Sequence, residues 1–336
     1  MKKQGRGIAI MFYPVGFTAY PNPGSAVIKM NEDGSVVLSI GSADIGQGSS
    51  TILSQIAAEE LGIRFEHISI VASDTLTTPN DLGTVASRVT YIIGNAVQIA
   101  AKEAKKILLA AASEIMNVAP EGLDAKDGFI YVVSFPEKAI PIAQAAARST
   151  KAKGKPILAS GSFNPVTTLL DPETGHGKPY GAYVFGTQIV ELEVDTETGI
   201  FDIKRIIAVH DCGKSINPSL TEGQIQGGVA MGIGFGTMEK MVLDNCAVQN
   251  GDLTNYIIPS ALDVPEIITH IVEMPEVSGP FGAKAIGEPA LLPTAPAIAN
   301  AIQDAVGVRI RDLPITPEKV LLAMKEKEGI TGSCKL

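Results

Sequence analysis

The chain has 336 residues, 45% of them hydrophobic, and a net charge of −9. That length can bury one large core or two medium ones. An acidic chain without a basic stripe is not expected to bind nucleic acid, and no run is long and apolar enough to span a bilayer. The basic start at Lys2 and Lys3 reaches Pro14 without the apolar run of a signal peptide, so a cytoplasmic location is expected. Cys212, Cys246 and Cys334 lie far apart and the four histidines are scattered. No disulfide framework, cysteine-held iron–sulfur cluster or zinc site is expected from them.

In chain order, the segment 25–42 reads as two alternating runs joined by an Asp-Gly turn, a hairpin signal. A helix follows, with Ser49 or Ser50 as N-cap and Ile52, Ile56, Ala57 and Leu61 on its apolar face. A strand is predicted over 65–74, a long helix over about 89–115, and one strand over 128–135. Residues 151–180 are polar, rich in Gly and Pro, and weakly periodic, which predicts a connecting loop with room for one strand. It separates a first subdomain, 1–150, from a second, 181–336. The second half repeats the first: a hairpin turning at Glu197–Gly199, a Gly-rich turn and a helix. Two more helices are predicted near 295–307 and 316–327. Strands mixed with helices, with hairpins present, give the α+β class.

Three helix starts carry small residues. Gly46, Gln47 and Gly48 precede the first helix, where backbone N–H groups and the helix dipole favour an anion. The turn lacks the Gly-Lys-Ser/Thr ending of a nucleotide-binding loop, and a plain tight turn explains it equally well. Ala86, Ser87 and Arg88 precede the long helix, with close helix packing as the alternative. Gln224 lies in the third start, with simple exposure as its alternative. Together the three could cradle a large polyanionic cofactor. Glu288 stands between Gly287 and Pro289 among aliphatic residues. Partial desolvation there would raise its affinity for a proton and suit it to general-base work; a surface ion pair with Lys284 is the competing reading.

These segments in register, 43–63, 83–97, 210–234 and 282–302, resemble the C-terminal half of the molybdenum-binding subunit of the xanthine dehydrogenase and aldehyde oxidase family. The preceding half, with its Gly-rich segment and a Gln near the metal, is not found in this sequence. The arrangement therefore resembles the medium molybdopterin subunit of the split bacterial nicotinate dehydrogenases. The resemblance implies hydroxylation of a small heteroaromatic substrate by water, with Glu288 as general base. It implies a molybdenum–molybdopterin cytosine dinucleotide with a terminal sulfido or selenido ligand. It places Gly46, Gln47, Gly48, Ala86, Ser87, Arg88 and Gln224 at that cofactor, although Arg88 departs from the small apolar residue of many relatives. Phe12, Tyr13 and Phe17 fall where relatives place aromatic substrate contacts, with core packing as the alternative. Implied partners are a large molybdopterin subunit, an FAD subunit and a [2Fe–2S] subunit, passing electrons to NADP. Purine or aldehyde hydroxylation, and a non-catalytic pterin carrier, are the alternatives. Glu288 separates the last, since a carrier needs no base.

Overall fold

The computed structural model describes residues 1–18 and 21–329, so Cys334 lies outside the described residues. The chain runs β1 (Lys2–Pro14), β2 (Gly24–Met30), β3 (Val36–Ile40), α1 (Ser49–Leu61), β4 (Ile68–Ala72), a π turn at Val89–Ile93 and α2 (Gly94–Met116). Next come β5 (Leu123–Lys126), β6 (Phe129–Val132), β7 (Phe135–Pro141), α3 (Ile142–Ala147) and β8 (Ile157–Phe163). The second half contains β9 (Tyr183–Asp195), β10 (Phe201–Asp211), α4 (Pro218–Thr237), the short hairpin β11 (Leu243–Asp244) and β12 (Ala247–Val248), β13 (Glu266–Val272), α5 (Thr294–Val306) and α6 (Pro317–Lys327). Helices with mixed sheets give the α+β class read from the sequence. Among the described residues, no helix is long and apolar enough to cross a membrane.

Two four-stranded sheets share one plan: β4-β3-β2-β8 and β13-β10-β9-β1. In each, an antiparallel hairpin (β2–β3, β9–β10) leads through a helix (α1, α4) to a strand parallel to the hairpin's second arm. A fourth strand, β8 or β1, closes the far edge antiparallel. One core lies between the first sheet and α1 and α2, around Ile28, Leu38, Leu53, Ile56 and Ile92. The other lies between the second sheet and α4 and α5, around Val190, Ile206, Ile225, Ile298 and Ile302.

One edge strand, β1, ties the halves together. β1, from the start of the chain, joins the second sheet, and β8, inside the segment read as a connecting loop, joins the first. Both edges depend on glycine. A Cβ on Gly7 would stand 2.1 Å from Ala297 O of α5, and one on Gly161 would stand 2.2 Å from Ala96 O of α2. The helices answer with small residues, Ala297 and Ala301 on α5, Ala96 and Ala100 on α2, all fully buried. Strand and helix backbones thus meet closely with no side chain between them.

Local readings differ from the structure in two places. The single strand expected over 128–135 is a hairpin, β6 and β7, turning at Val133–Ser134 without Gly, Pro or Asn to mark it. The N-cap of α1 is Gly48 in the left-handed region, and neither Ser49 nor Ser50 caps with its side chain.

Gly7→Ala should force α5 away from β1 and destabilise the chain by at least ~1–3 kcal/mol, the range for overpacking. Denaturant unfolding of the variant checks this; an unchanged midpoint would contradict the close approach.

Candidate active site

The turn before α1 is organised by a residue outside the expected motif. Asp44 accepts hydrogen bonds from Gly46 N (3.0 Å), Gly48 N (3.3 Å) and Ser50 N (2.9 Å). Partial burial pushes its pKa up, but these backbone donors outweigh that and hold it below the usual carboxylate value. The anion that this helix start favours is therefore the chain's own carboxylate. Gln47 is also turned to its loop: Oε1 accepts from Ile45 N (2.7 Å) and Nε2 donates to Ser49 Oγ (2.8 Å). At α4 the same holds, with Asn217 Oδ1 accepting from Leu220 N (3.1 Å). Two of the three helix starts are thus self-capped, which corrects the picture of free anion sites.

The turn before α2 is strained. Gly83 has φ 101°, and the non-glycine residues Ala86 and Ser87 have φ 49° and 50°. Such conformations cost of order 1–3 kcal/mol each and persist only where the surroundings enforce them. Arg88 does so. Its side chain is fully buried, ion-paired to Asp81 at 2.8 Å. It also donates to Asn22 Oδ1 (2.6 Å), Pro23 O (2.6 Å) and Gly83 O (3.2 Å). With its donors directed to protein acceptors, Arg88 clamps the turn that carries Ser87.

On the other side of the cleft, residues 283–290 run against the end of β10. Lys284 N donates to Cys212 O (2.9 Å), and Lys284 Nζ pairs with Asp211 at 2.6 Å, both side chains 8% exposed. Lys284 is therefore committed elsewhere, and its surface pairing with Glu288 is ruled out. The Cys212 thiol beside it stays protonated, pushed up to about 11 by burial and by the charges of Asp211 and Glu273. A short 3-10 turn, Glu288–Ala290, then buries Pro289 and Ala290 and leaves Glu288 exposed. The expected desolvation of Glu288 by its aliphatic neighbours is thus not what this chain provides, because those neighbours point inward. Ser87 Oγ donates to Glu288 Oε2 (2.7 Å) and accepts from Glu288 N (3.0 Å). Tyr13 Oη donates to the same Oε2.

Beneath this turn lies a buried polar chain that sequence reasoning missed. Gln188 donates to Ala290 O (2.6 Å) and accepts from Thr294 Oγ1 (2.7 Å). Its Nε2 also lies 3.2 Å from His210 Nε2, which must accept, so Nδ1 carries the proton and has no partner. Burial depresses His210 from 6.5 to about 4.

The elements surround one cleft of about 430 Å³. Gln47, Ser87, Arg88, Gln224 and Glu288 all line it, together with Thr84, Lys214 and Asn217. Gly46, Gly48 and Ala86 shape the same turns without facing it. Of the three aromatics only Tyr13 reaches the site, through Glu288. Phe12 lies on the opposite face of β1, as strand alternation requires, against Tyr183 and Phe185 at ring distances of 6.2 and 6.5 Å. Phe17 does not line the cleft. The wall is mostly apolar, with Ile45, Ile52, Val85, Ile216, Leu220 and Met231 in it, and amide and hydroxyl groups are set among these. Among the described residues, no cluster of His, Cys, Asp and Glu could hold a metal ion. Most polar groups of the wall are bonded within the chain; Gln224 has no hydrogen-bond partner among the described residues, and with the apolar wall it suits an organic ligand.

The cleft thus has one positioned carboxylate, Glu288, at its mouth. Residues 1–265 match the family described as the molybdopterin cofactor-binding domain, and the chain belongs to that family, within the molybdenum hydroxylases. It is 33% identical over 329 residues to the xanthine dehydrogenase molybdenum-binding subunit of Escherichia coli O157:H7, covering 95% of this chain and 42% of that one. It is 33% identical over 305 residues to the nicotine 6-hydroxylase large subunit of Paenarthrobacter nicotinovorans, covering 90% and 37%. Among solved structures it is similar to quinoline 2-oxidoreductase from Pseudomonas putida 86, with a TM-score of 0.86, 28% identity, and coverage of 97% and 42%. It is also similar to the aldehyde oxidoreductase of Desulfovibrio gigas, with a TM-score of 0.80, 32% identity, and coverage of 96% and 33%. The chain spans about two fifths of the length of the curated relatives it matches.

The depressed His210 makes stability pH-dependent. Above pH 6.5 the ring is neutral in both folded and unfolded chains. Below it, the unfolded chain takes up a proton that the folded one refuses until about pH 4. Up to ~3 kcal/mol of stability is therefore lost as pH falls through that window. Unfolding of the wild type and of His210→Asn at pH 7 and pH 4 should show a steeper loss in the wild type; parallel losses would contradict it.

Proposed function

We propose that this chain is a molybdopterin-binding subunit of a multi-subunit hydroxylase acting on an N-heteroaromatic ring, with nicotinate to 6-hydroxynicotinate as the reaction. The observation that carries the reading is the placement of Glu288. It lies at the mouth of the one cleft lined by Gln47, Ser87 and Gln224, held there by hydroxyl groups and not by a cation. A carrier would have no use for such a carboxylate. The ring class is supported by relatives named for nicotine and quinoline.

The overall reaction is RH + H2O + NADP+ → ROH + NADPH + H+. When bound, the molybdenum–pterin group supplies the Lewis acidity that makes a water-derived oxygen nucleophilic, and the two-electron acceptor. Glu288 takes the proton that this oxygen releases as it attacks an electron-poor ring carbon. Thr84, Val85 and Ser87 of the turn before α2 line the cleft, and Gln224 offers an amide without another protein partner among the described residues. The cytosine dinucleotide form of the cofactor, and a terminal sulfido or selenido ligand, belong to the same proposal. So do FAD and [2Fe–2S] subunits carrying electrons to NADP, and a large molybdopterin subunit completing the site. The outward apolar residues Ile8, Ile10, Phe12 and Phe185 offer a surface for the large subunit.

In the assembled enzyme, Glu288→Gln preserves shape and removes the proton acceptor. Reduction by substrate should slow by about 10²–10⁴-fold, with molybdenum content unchanged. Near-normal reduction of a fully loaded variant would overturn the base assignment. Turnover of xanthine or an aldehyde in place of nicotinate would move the substrate while leaving the base in place.

A further inference from the structure

The two carboxylate oxygens of Glu288 have different surroundings. Oε2 receives both hydroxyl donors, Tyr13 Oη and Ser87 Oγ, while Oε1 has no protein partner among the described residues. Ser87 has one hydroxyl proton. Its oxygen already accepts from Glu288 N, so that proton is committed to Oε2. A single such bond leaves the carboxylate free to swing about its terminal torsion, which is soft. The second donor arrives from a different element: Tyr13 is on the edge strand of the second sheet, Ser87 on the turn before α2. Rotation of the carboxylate would break both bonds together.

We propose that Tyr13 is a positioning residue for Glu288: with Ser87 it anchors Oε2, so that Oε1 is the atom presented for proton transfer. The assignment rests on Glu288 being the base. It gives Tyr13 a role through its hydroxyl and not through its ring face. The phenol is suited to this, since burial and then the bond to Glu288 push its ionisation well above the ordinary value and keep it a donor.

The test is Tyr13→Phe, which keeps the ring and removes the donor, in the assembled, metal-loaded enzyme. The kcat for reduction by substrate should fall by about 10²-fold, the scale for an ångström-sized misplacement, while KM stays nearly constant. A crystal structure of the same variant, which needs no turnover, should show the Glu288 carboxylate rotated or spread over several rotamers. A carboxylate still in place, or an unchanged kcat, would overturn the anchor. Failure of the base reading is separate: it would show as an active Glu288→Gln enzyme, whatever the carboxylate does in Tyr13→Phe.

Discussion

The site depends on one buried guanidinium. Arg88 has no solvent exposure, and its hydrogen bonds tie Asp81, Gly83, Asn22 and Pro23 into one unit. Burying such a charge is costly, and only close pairing with further hydrogen bonds offsets the cost. The gain is geometric. Two consecutive non-glycine residues, Ala86 and Ser87, are held in the left-handed region, and this brings Ser87 Oγ to both the backbone and the carboxylate of Glu288. Without that clamp the turn would relax toward ordinary backbone angles and Ser87 would leave the carboxylate.

The second constraint is the lacing of the sheets. Ser87 belongs to the half containing the first sheet and Glu288 to the half containing the second. Tyr13, early in sequence, is placed beside Glu288 only because β1 crosses to pair with β9. The glycines of β1 and β8 let those edge strands lie against Ala-rich helices, each within its own core, and β1 carries the start of the chain into the second sheet. The buried chain from His210 through Gln188 to Ala290 O supports the Glu288 turn from below. Each support comes from a different stretch of sequence, so the carboxylate is exposed yet fixed in place.

This explains what could be read from the sequence. The Asp-Gly turn at 33–34 and the Gly at 199 marked both hairpins, and apolar periodicity marked α1, α2, α5 and α6. The motif residues Gln47, Ser87, Gln224 and Glu288 share one cleft. What local patterns hid was long-range. The spacing of Gly5 and Gly7 carries no signal until α5 is laid over it. Asp44, whose carboxylate accepts from the turn and from Ser50 N at the start of α1, lies several residues upstream of the serines that composition favoured. The apolar neighbours of Glu288 suggested burial, but only tertiary structure decides that Pro289 and Ala290 face inward while the acid faces out. Arg88 looked anomalous among small residues because its partners, Asn22 and Pro23, are more than sixty positions away.

The central claim is that the cleft between these turns holds a molybdenum–pterin group beside Glu288. The most direct measurement is an anomalous difference map of the assembled protein, recorded on both sides of the molybdenum absorption edge. The account predicts one edge-dependent peak per copy of this chain, in the cleft next to Glu288, with connected organic density reaching the Gln47, Ser87 and Gln224 walls. Molybdenum located away from this cleft, or a cleft filled by a metal-free ligand, would contradict it.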